Sequence, residues 1–376
     1  MSIKKVSILG TVGIPACYGG FESLVENLTK DSSENISYTV YCSSKSYKIK
    51  VKEYNNASLI YLPLDANGIM SIPYDIYSKI KCLFSKPDTI VILGVSGCIC
   101  LPLYRLLSKS KIITNIDGLE WKRNKWGKFA RKFLKFSEFL AVKYSDVIIS
   151  DNQAIADYVK NEYNVDSEVI AYGGDHVLIK DNKDNKDNKA KDYFLGLCRI
   201  EPENNVEMIL KAFSKTSQKL KFVGNWDKSE FGVRLKKEYS QFTNIEIIDP
   251  IYDLDKLYDL RKNCFAYIHG HSAGGTNPSL VEVMHFAKPI YAFDCNFNRY
   301  STEDSCVYFS SSEDLIKLIE VEMSDELYSS YSLRMKEIAD RRYTWKIIAK
   351  QYEELYELKN NIDSISSICN QRNFFN

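Results

Sequence analysis

The sequence lacks the patterns that mark several large classes of protein. Its 376 residues carry 50 lysines and arginines against 49 aspartates and glutamates, so the net charge is +1 and nucleic acid is not predicted as a partner. No apolar run approaches the roughly 20 residues that span a membrane. The ten cysteines form no Cys-x-x-Cys pair, which disfavours a zinc site, and their scatter predicts reduced thiols in a cytoplasmic protein.

Two common phosphate-binding motifs are also missing. The glycine-rich stretch GTVGIPACYGGFES, after the first predicted strand, is neither G-x-G-x-x-G nor a P-loop. The second strand, YTVYCSS, ends without an acid, which disfavours a hydride-transferring oxidoreductase. Gly19 and Gly20 still permit close approach to a helix N-terminus, so this turn is a candidate anion site, with a turn that holds no ligand as the alternative.

Short apolar runs alternate with amphipathic helical patterns throughout the chain, which predicts an α/β fold with two parallel sheets. The polar run KDNKDNKDNKAKD at 180–192 is predicted to be a surface loop or linker between two domains, 1–178 and 190–344. The stretch RRYTWKIIAKQYEELYELK is predicted to be one long helix, and a helix over about 345–376 is expected to pack back on the first domain. The start, MSIKKVSILG, resembles a strand rather than a signal peptide.

A second candidate phosphate loop lies in CRIEPENNVEMILKAF. Arg199 stands at the end of a predicted strand, where a guanidinium is able to clamp a diphosphate. Asn204 or Asn205 is predicted to cap the next helix. A lone arginine is more often a surface ion-pair residue, so this loop is informative only beside the others.

The third candidate is the loop in AYIHGHSAGGTNPSLVEVMHFAKPI, which is expected to be flexible. Asn277 is a predicted N-cap, and Pro278 is the predicted first residue of a helix. The amides of Gly274, Gly275 and Thr276 would then lie at the positive end of that helix. Glu282 is placed to accept hydrogen bonds from a sugar hydroxyl. His269 and His271 flank the loop as hydrogen-bond donors or structural residues rather than as a metal pair.

These stretches, in this order, resemble the GT-B-fold, family-four retaining glycosyltransferases over nearly the whole chain. LCRIEPENNVEMILKAF is similar to the diphosphate-binding segment of that family, GGTNPSLVEVMHFAKPI to its nucleotide-binding loop, and YTWKIIAKQYEELYE to its C-terminal crossover helix. The resemblance implies two Rossmann-like domains facing across a cleft, with a nucleotide sugar as substrate and neither a metal nor another cofactor. The donor-binding residues are then predicted to be Gly19, Gly20, Arg199, Asn204, Ser272, Gly274, Gly275, Thr276, Asn277 and Glu282.

Two positions depart from the family pattern. Gly274 stands where a first glutamate is common, and Asn204 stands where a lysine is common. The variant pattern resembles a bacterial subgroup that includes β-1,4-rhamnosyltransferases of capsule and cell-wall polysaccharide synthesis. It implies a dTDP-rhamnose donor and a polyprenyl-diphosphate-linked sugar acceptor. A UDP-hexose donor and a non-catalytic partner subunit are the alternatives.

The remaining candidates lie in the first half of the chain. Asp117 and Glu120, after the predicted strand KIITNID, join Arg199 as predicted catalytic residues, although either acid is also able to cap the next turn. A basic helix with Phe129, Phe133 and Phe136 at helical spacing then follows. Its cations predict an acceptor site at an anionic membrane surface, the inner face of the plasma membrane, unless the apolar side packs into its own domain. These cations are Lys122, Arg123, Lys125, Lys128, Arg131 and Lys132.

Overall fold

The structure of the protein is a computed structural model. The structure describes residues 3–16, 19–30, 32–122, 126–178 and 192–357. The chain forms two compact units: the first comprises 1–150, 156–170 and 349–376, and the second comprises 151–155 and 171–348. Apart from Asp192, the predicted linker at 180–192 lies outside the described residues.

The first unit is built on an eight-stranded sheet. Its strands are β1 (Lys4–Leu9), β2 (Ile36–Ser43), β3 (Glu53–Tyr54), β4 (Ala57–Leu62), β5 (Thr89–Leu93), β6 (Lys111–Asn115), β7 (Val147–Ser150) and β8 (Glu168–Val169). Its helices are α1 (Gly20–Lys30), α2 (Ser71–Ser85), α3 (Leu101–Leu107), α4 (Lys128–Tyr144) and α5 (Gln153–Tyr163), of which residues 153–155 belong to the second unit. The order is β3-β4-β2-β1-β5-β6-β7-β8, and only the β3–β4 pair is antiparallel.

The central strands of the first sheet are buried and rich in apolar residues. Every residue of β5 and β6 is buried, as expected for parallel strands covered by helices on both faces. The chain order reverses between β1 and β5, which defines the point at which ligands of open α/β sheets bind. Gly10 has a φ of +86° there, and a Cβ atom on it would lie 2.1 Å from the Leu93 carbonyl oxygen.

The second unit contains a six-stranded parallel sheet. Its strands are β9 (Tyr193–Leu197), β10 (Lys219–Val223), β11 (Ile245–Ile248), β12 (Ala266–His269), β13 (Ile290–Phe293) and β14 (Val307–Phe309). Its helices are α6 (Val206–Phe213), α7 (Glu230–Tyr239), α8 (Leu254–Asn263), α9 (Pro278–Met284), α10 (Asn296–Thr302), α11 (Ser312–Glu320), α12 (Asp325–Arg342) and the start of α13 (Trp345–Glu357). The order is β11-β10-β9-β12-β13-β14, so the chain order reverses between β9 and β12.

The predicted single helix through RRYTWKIIAK is wrong, because the structure breaks it in two. Helix α12 ends at Arg342 and α13 begins at Trp345, whose amide donates to the Asp175 carboxylate at 2.7 Å. This bond satisfies one of the backbone donors that a helix start leaves unpaired. The side chain that satisfies this helix start is therefore distant in sequence.

Helix α13 ends within the first unit. The Asn115 amide donates to the Tyr352 hydroxyl at 3.1 Å, and both residues are buried. The Lys111 ammonium donates to the Leu355 carbonyl at 2.6 Å, and the Lys4 ammonium donates to the Tyr356 carbonyl. The two lysines thus satisfy carbonyl groups in the last turn of α13, where cations are favourable. Residues 358–376 of the predicted C-terminal helix lie outside the described residues.

None of the helices within the described ranges has the length and apolar character needed to cross a bilayer.

Phe222 anchors the core of the second unit, so its truncation tests the packing described for that sheet. Its ring is 1% exposed and lies 5.5 Å, centroid to centroid, from Trp226. We expect Phe222→Ala to lower the free energy of unfolding by about 3–5 kcal/mol, because it opens a cavity. Urea denaturation measures this change. Val233→Ala, at a 49% exposed position of the same unit, is expected to change the free energy of unfolding by less than about 0.5 kcal/mol. Equal losses of stability in the two variants would contradict the packing described for Phe222.

Candidate functional site

Two of the three predicted loops meet at the carboxyl ends of β9 and β12, where the order of the second sheet reverses. The Ser272 amide and hydroxyl both donate to the Glu203 carbonyl, at 3.0 and 2.8 Å. The Asn205 side chain donates to the Gly270 carbonyl at 2.8 Å. A side chain at Gly270 would not fit, since its Cβ would lie 2.2 Å from the Asn204 carbonyl oxygen. These contacts hold the two loops as one surface.

Arg199 is positioned by Asn204. The Asn204 amide donates to the Arg199 carbonyl at 2.7 Å, and Asn204 is 2% exposed. The Arg199 side chain is 37% exposed, with its guanidinium 3.7 Å from the Glu201 carboxylate. Arg199 therefore offers a cation at the surface, whereas Asn204 and Ser272, both predicted to bind a donor, use their side chains to fix the backbone.

The predicted asparagine cap of α6 is only partly correct. Asn205 occupies the N-cap position, but its side chain makes no capping bond. Its φ is +50°, in the left-handed region that asparagine tolerates. The amide reaches Gly270 instead, so Asn205 joins the two loops rather than closing its own helix.

The loop between β12 and α9 is anchored, contrary to the expectation of a flexible loop. The Thr276 hydroxyl donates to the Asp151 carbonyl at 2.5 Å and accepts from the Asn152 amide at 3.3 Å. Gly275 lies against the Asp151 carboxylate, where a Cβ atom would be 1.8 Å from Oδ1. Gly274 is different: its φ is +117°, and a Cβ atom there would meet nothing within 4 Å. The open part of the loop is therefore at Gly274.

The predicted start of α9 is confirmed. Pro278 is its first residue, and the Asn277 side chain accepts from the Ser279 amide at 3.0 Å. The Tyr267 hydroxyl donates to the Leu197 carbonyl at 2.9 Å and contacts the Ser279 hydroxyl at 3.1 Å, so the start of α9 is tied to the end of β9. The helix has only seven residues, and its dipole contributes less than a long helix would.

Glu282 belongs to a partly buried polar cluster that the sequence did not reveal. Its carboxylate accepts from the Arg261 guanidinium, which is 7% exposed, and lies 3.5 Å from His176 Nε2. His176 Nδ1 accepts from the Trp345 indole at 2.9 Å, which assigns the imidazole proton to Nε2, facing Glu282. Burial lowers the pKa of His176, and the Glu282 charge opposes that shift. Two partners leave Glu282 with further acceptor capacity.

His269 is a buried imidazole whose two nitrogens have no hydrogen-bond partner among the described residues. It is 1% exposed, and its ring stacks on His271 with centroids 4.4 Å apart. Burial lowers the pKa of His269 to about 3. No group of three or more metal-ligating side chains occurs within the described ranges, so the two histidines have no third ligand there.

The glycine turn of the first unit carries an acid at its centre. Glu22, which is 6% exposed, accepts from the Thr11 hydroxyl and the Val12 amide, both at 2.8 Å. A Cβ atom on Gly19 would lie 2.1 Å from Glu22 Oε2, and Gly20 is the first residue of α1. A carboxylate in the first turn of α1 already complements its positive end and repels a phosphate. The Gly19–Gly20 turn is thus a poor anion site by its electrostatics.

The predicted catalytic acids lie together after β6. Asp117 has a φ of +62°, and its amide donates to the Asn115 side chain at 3.0 Å. Glu120 opens a short 3₁₀ turn that ends at Lys122, and its carboxylate accepts from the Trp126 indole at 3.0 Å. Both acids belong to the first unit, while Arg199 belongs to the second.

The predicted basic helix is α4, and its aromatic side chains are largely exposed. Phe129 is 86% exposed and Phe136 is 52% exposed, whereas Leu140 is buried. Lys128 and Lys132 are exposed, Arg131 is half-buried, and the Lys122 ammonium lies 5.3 Å from the centre of the Trp121 ring. Arg123 and Lys125, which were also predicted to belong to this basic surface, lie outside the described residues.

Comparisons with known proteins give the fold. A family model described as a domain of unknown function (DUF1972) matches residues 3–175. Sucrose-phosphate synthase from Thermosynechococcus elongatus has a TM-score of 0.76 at 14% identity, over 94% of this chain and 98% of that one. HepE from Anabaena in complex with UDP-glucose has a TM-score of 0.72 at 14% identity, over 94% and 100%.

The chain has the GT-B fold. A glycosyltransferase from Rickettsia africae is also similar, with a TM-score of 0.71 at 12% identity over 94% of this chain and 98% of that one. No curated protein sequence matches the chain significantly. The predicted α/β architecture with two parallel-sheet domains is confirmed, and these similarities concern the fold alone.

The burial of His269 predicts a pH dependence. Its folded pKa of about 3 lies below the ordinary value of 6.5, so the unfolded chain binds a proton that the folded protein excludes as the pH falls below 6.5. We expect the free energy of unfolding to fall by about 1 kcal/mol more between pH 6 and pH 5 in the wild type than in His269→Asn. Urea denaturation at both pH values measures the difference. Parallel pH dependences would show that His269 titrates normally in the folded protein.

Proposed function

We propose that the protein is a retaining glycosyltransferase that moves L-rhamnose from dTDP-rhamnose to a lipid-diphosphate-linked sugar acceptor in bacterial surface polysaccharide synthesis. One observation carries the proposal: at the switch point of the second sheet, the exposed Arg199 guanidinium and the open Gly274 backbone belong to two loops that are bonded together. A cation and glycine amides at this position suit a nucleoside diphosphate.

The chemistry assigned to this site is stabilisation of the leaving group. As the sugar departs, negative charge grows on the nucleotide diphosphate, and Arg199 with the amides around Gly274 would neutralise it. Bonding between the loops preorganises these donors, so little reorganisation is needed during the reaction. Glu282, held by Arg261, would accept a hydrogen bond from a free hydroxyl of the nucleotide's deoxyribose.

A UDP-hexose is the second candidate donor. It is favoured by the similarity in fold to HepE, which was solved with UDP-glucose. The dTDP-rhamnose assignment is favoured by the stretches GTVGIPACYGGFE, DGLEWKRNKW, RIEPENN and GGTNPSLVE, which resemble the rhamnosyltransferase subgroup.

Thermal denaturation with a panel of nucleotide sugars tests the donor assignment. A ligand that binds only the folded protein raises the melting temperature with its concentration. We expect dTDP-rhamnose to raise it more than UDP-glucose at equal concentration. A larger shift with UDP-glucose would make UDP-glucose the favoured donor. No shift with either nucleotide sugar would contradict the proposed glycosyltransferase activity.

Replacement of Arg199 tests the role of its charge. We expect Arg199→Ala to lower the rate of nucleoside diphosphate release from the donor by about 10²–10³-fold, because one preorganised cation is lost. Its melting temperature should stay close to that of the wild type, since the side chain is 37% exposed. Arg234→Ala removes a surface arginine of the same unit, paired with Glu207, and is the matched control. Equal rates in the two variants would exclude Arg199 from catalysis.

We also propose that the exposed start of α4 contacts an anionic membrane surface on the cytoplasmic side. Lys128 and the 86% exposed Phe129 combine a cation with a side chain that gains free energy on leaving water. This arrangement suits an enzyme that acts on a lipid-linked acceptor.

Vesicle flotation tests the membrane contact. We expect the wild type to float with vesicles containing phosphatidylglycerol and the double variant Lys128→Glu/Phe129→Ala to float several-fold less, because charge attraction and apolar burial are both lost. Lys48→Glu/Ile49→Ala changes an exposed lysine and an 80% exposed isoleucine in the same unit and serves as the control. If the wild-type protein does not float with these vesicles at moderate salt, the proposed membrane contact is wrong.

A further inference from the structure

A groove of about 540 Å³ runs along α4 and the end of α5 in the first unit. Trp121, Phe136 and Phe139 supply its aromatic surface, and Arg131 and Lys132 supply positive charge. Phosphate ions and hydrocarbon chains seldom suit the same surface. A groove that offers both kinds of contact suits a ligand with an anionic head and an apolar tail.

The floor of the groove is a buried network centred on Glu138, whose side chain is 2% exposed. Its carboxylate accepts from the hydroxyls of Tyr158 and Tyr163, both at 2.5 Å, and from the Trp121 indole at 3.1 Å. The Lys135 ammonium lies 3.3 Å from Glu138 and 2.9 Å from Glu162. Because each buried group has several partners, the network holds the groove in one shape.

The apolar part of the groove is exposed although it would gain free energy by burial. The rings of Phe136 and Phe139 are stacked with centroids 6.4 Å apart, and they are 52% and 41% exposed. Removing the exposed parts of these two rings from water is favourable. A hydrocarbon chain lying on this pair would release that water.

The cationic part of the groove adjoins the stacked pair on the same helix. Lys132, four residues before Phe136, has no ion-pair partner among the described residues. Arg131 is oriented by its Nε–H, which donates to the Trp126 carbonyl at 2.9 Å. Arg131 and Lys132 both line the groove, so two positive charges are available to the two phosphates of a diphosphate.

Nucleic acid would also use cations and aromatic rings, but the rings here are unsuited to base stacking. The Lys135 ammonium lies 4.8, 4.7 and 4.8 Å from the ring centres of Trp121, Tyr158 and Tyr163. It therefore covers the faces on which bases would stack. The rings of Phe136 and Phe139 pair with each other instead.

We propose that this groove binds the diphosphate and the first isoprenoid units of the lipid-linked acceptor. The assignment rests on the proposed function and names the site of its acceptor. It is supported by chain connectivity, since Trp121 lies in the 3₁₀ turn that Glu120 opens, four residues after Asp117. A lipid held here has its diphosphate near the loop that carries both predicted catalytic acids.

Isothermal titration of the full chain with farnesyl diphosphate tests the groove. Inorganic pyrophosphate and farnesol, which carry the head and the tail separately, are each expected to bind at least about tenfold more weakly, because each fills half the site. Lys132→Ala/Phe136→Ala is expected to weaken farnesyl diphosphate binding about tenfold or more. Lys81→Ala/Phe84→Ala changes an exposed pair of the same unit on α2 and is expected to leave binding unchanged.

Three results would overturn the assignment. They are pyrophosphate binding as tightly as farnesyl diphosphate, equal losses in the two double variants, and binding of a single-stranded oligonucleotide without binding of farnesyl diphosphate. The titration contains no nucleotide sugar, so its outcome is independent of donor binding. If the groove binds farnesyl diphosphate but no nucleotide sugar stabilises the protein, the lipid site is supported and the proposed transfer reaction is rejected.

Discussion

The bonds that join the loops after β9 and β12 are the constraint on which the candidate site depends. Ser272 makes two bonds to the Glu203 carbonyl, and Asn205 makes one to Gly270. Each buried bond of this kind contributes about 1 kcal/mol, but leaving a partner unsatisfied costs more. The loops are therefore fixed relative to each other, and they carry Arg199 and the open Gly274 respectively.

Carboxylates lie beside the glycine-containing loops of both units, but with different effects. In the first unit, Glu22 occupies the glycine turn and fixes its backbone, so that turn is electrostatically unsuited to a phosphate. In the second unit, the Asp151 carboxylate packs against Gly275 and leaves the Gly274 side open, while Glu282 is neutralised by Arg261. In the second unit, Arg261 thus offsets the charge of Glu282, while the Glu201 carboxylate lies 3.7 Å from the Arg199 guanidinium.

Local signals predicted the fold and part of the site. The apolar runs predicted the main strands, because parallel strands buried on both faces are rich in apolar residues. The start of α9 followed from Asn277 and Pro278, since capping is decided within three residues. Gly274 was recognisable from its loop, although its positive φ and open surroundings were not.

Long-range contacts could not be predicted, because no local pattern marks them. Arg261 lies on α8 and His176 lies far earlier in the chain, so their contact with Glu282 depends on how the elements pack. Asn204 was predicted to bind a ligand, yet folding turns its amide towards the Arg199 carbonyl. The charges of α4 were visible in the sequence, but the Glu138 network that neutralises Lys135 required α5 to be placed.

A crystal structure of the protein with bound UDP or dTDP tests the central claim most directly. The account predicts the diphosphate in the second unit, with its oxygens within hydrogen-bond distance of the Arg199 guanidinium and of the amides around Gly274. A nucleotide bound at the Gly19–Gly20 turn, with the surface beside Arg199 empty, would contradict it.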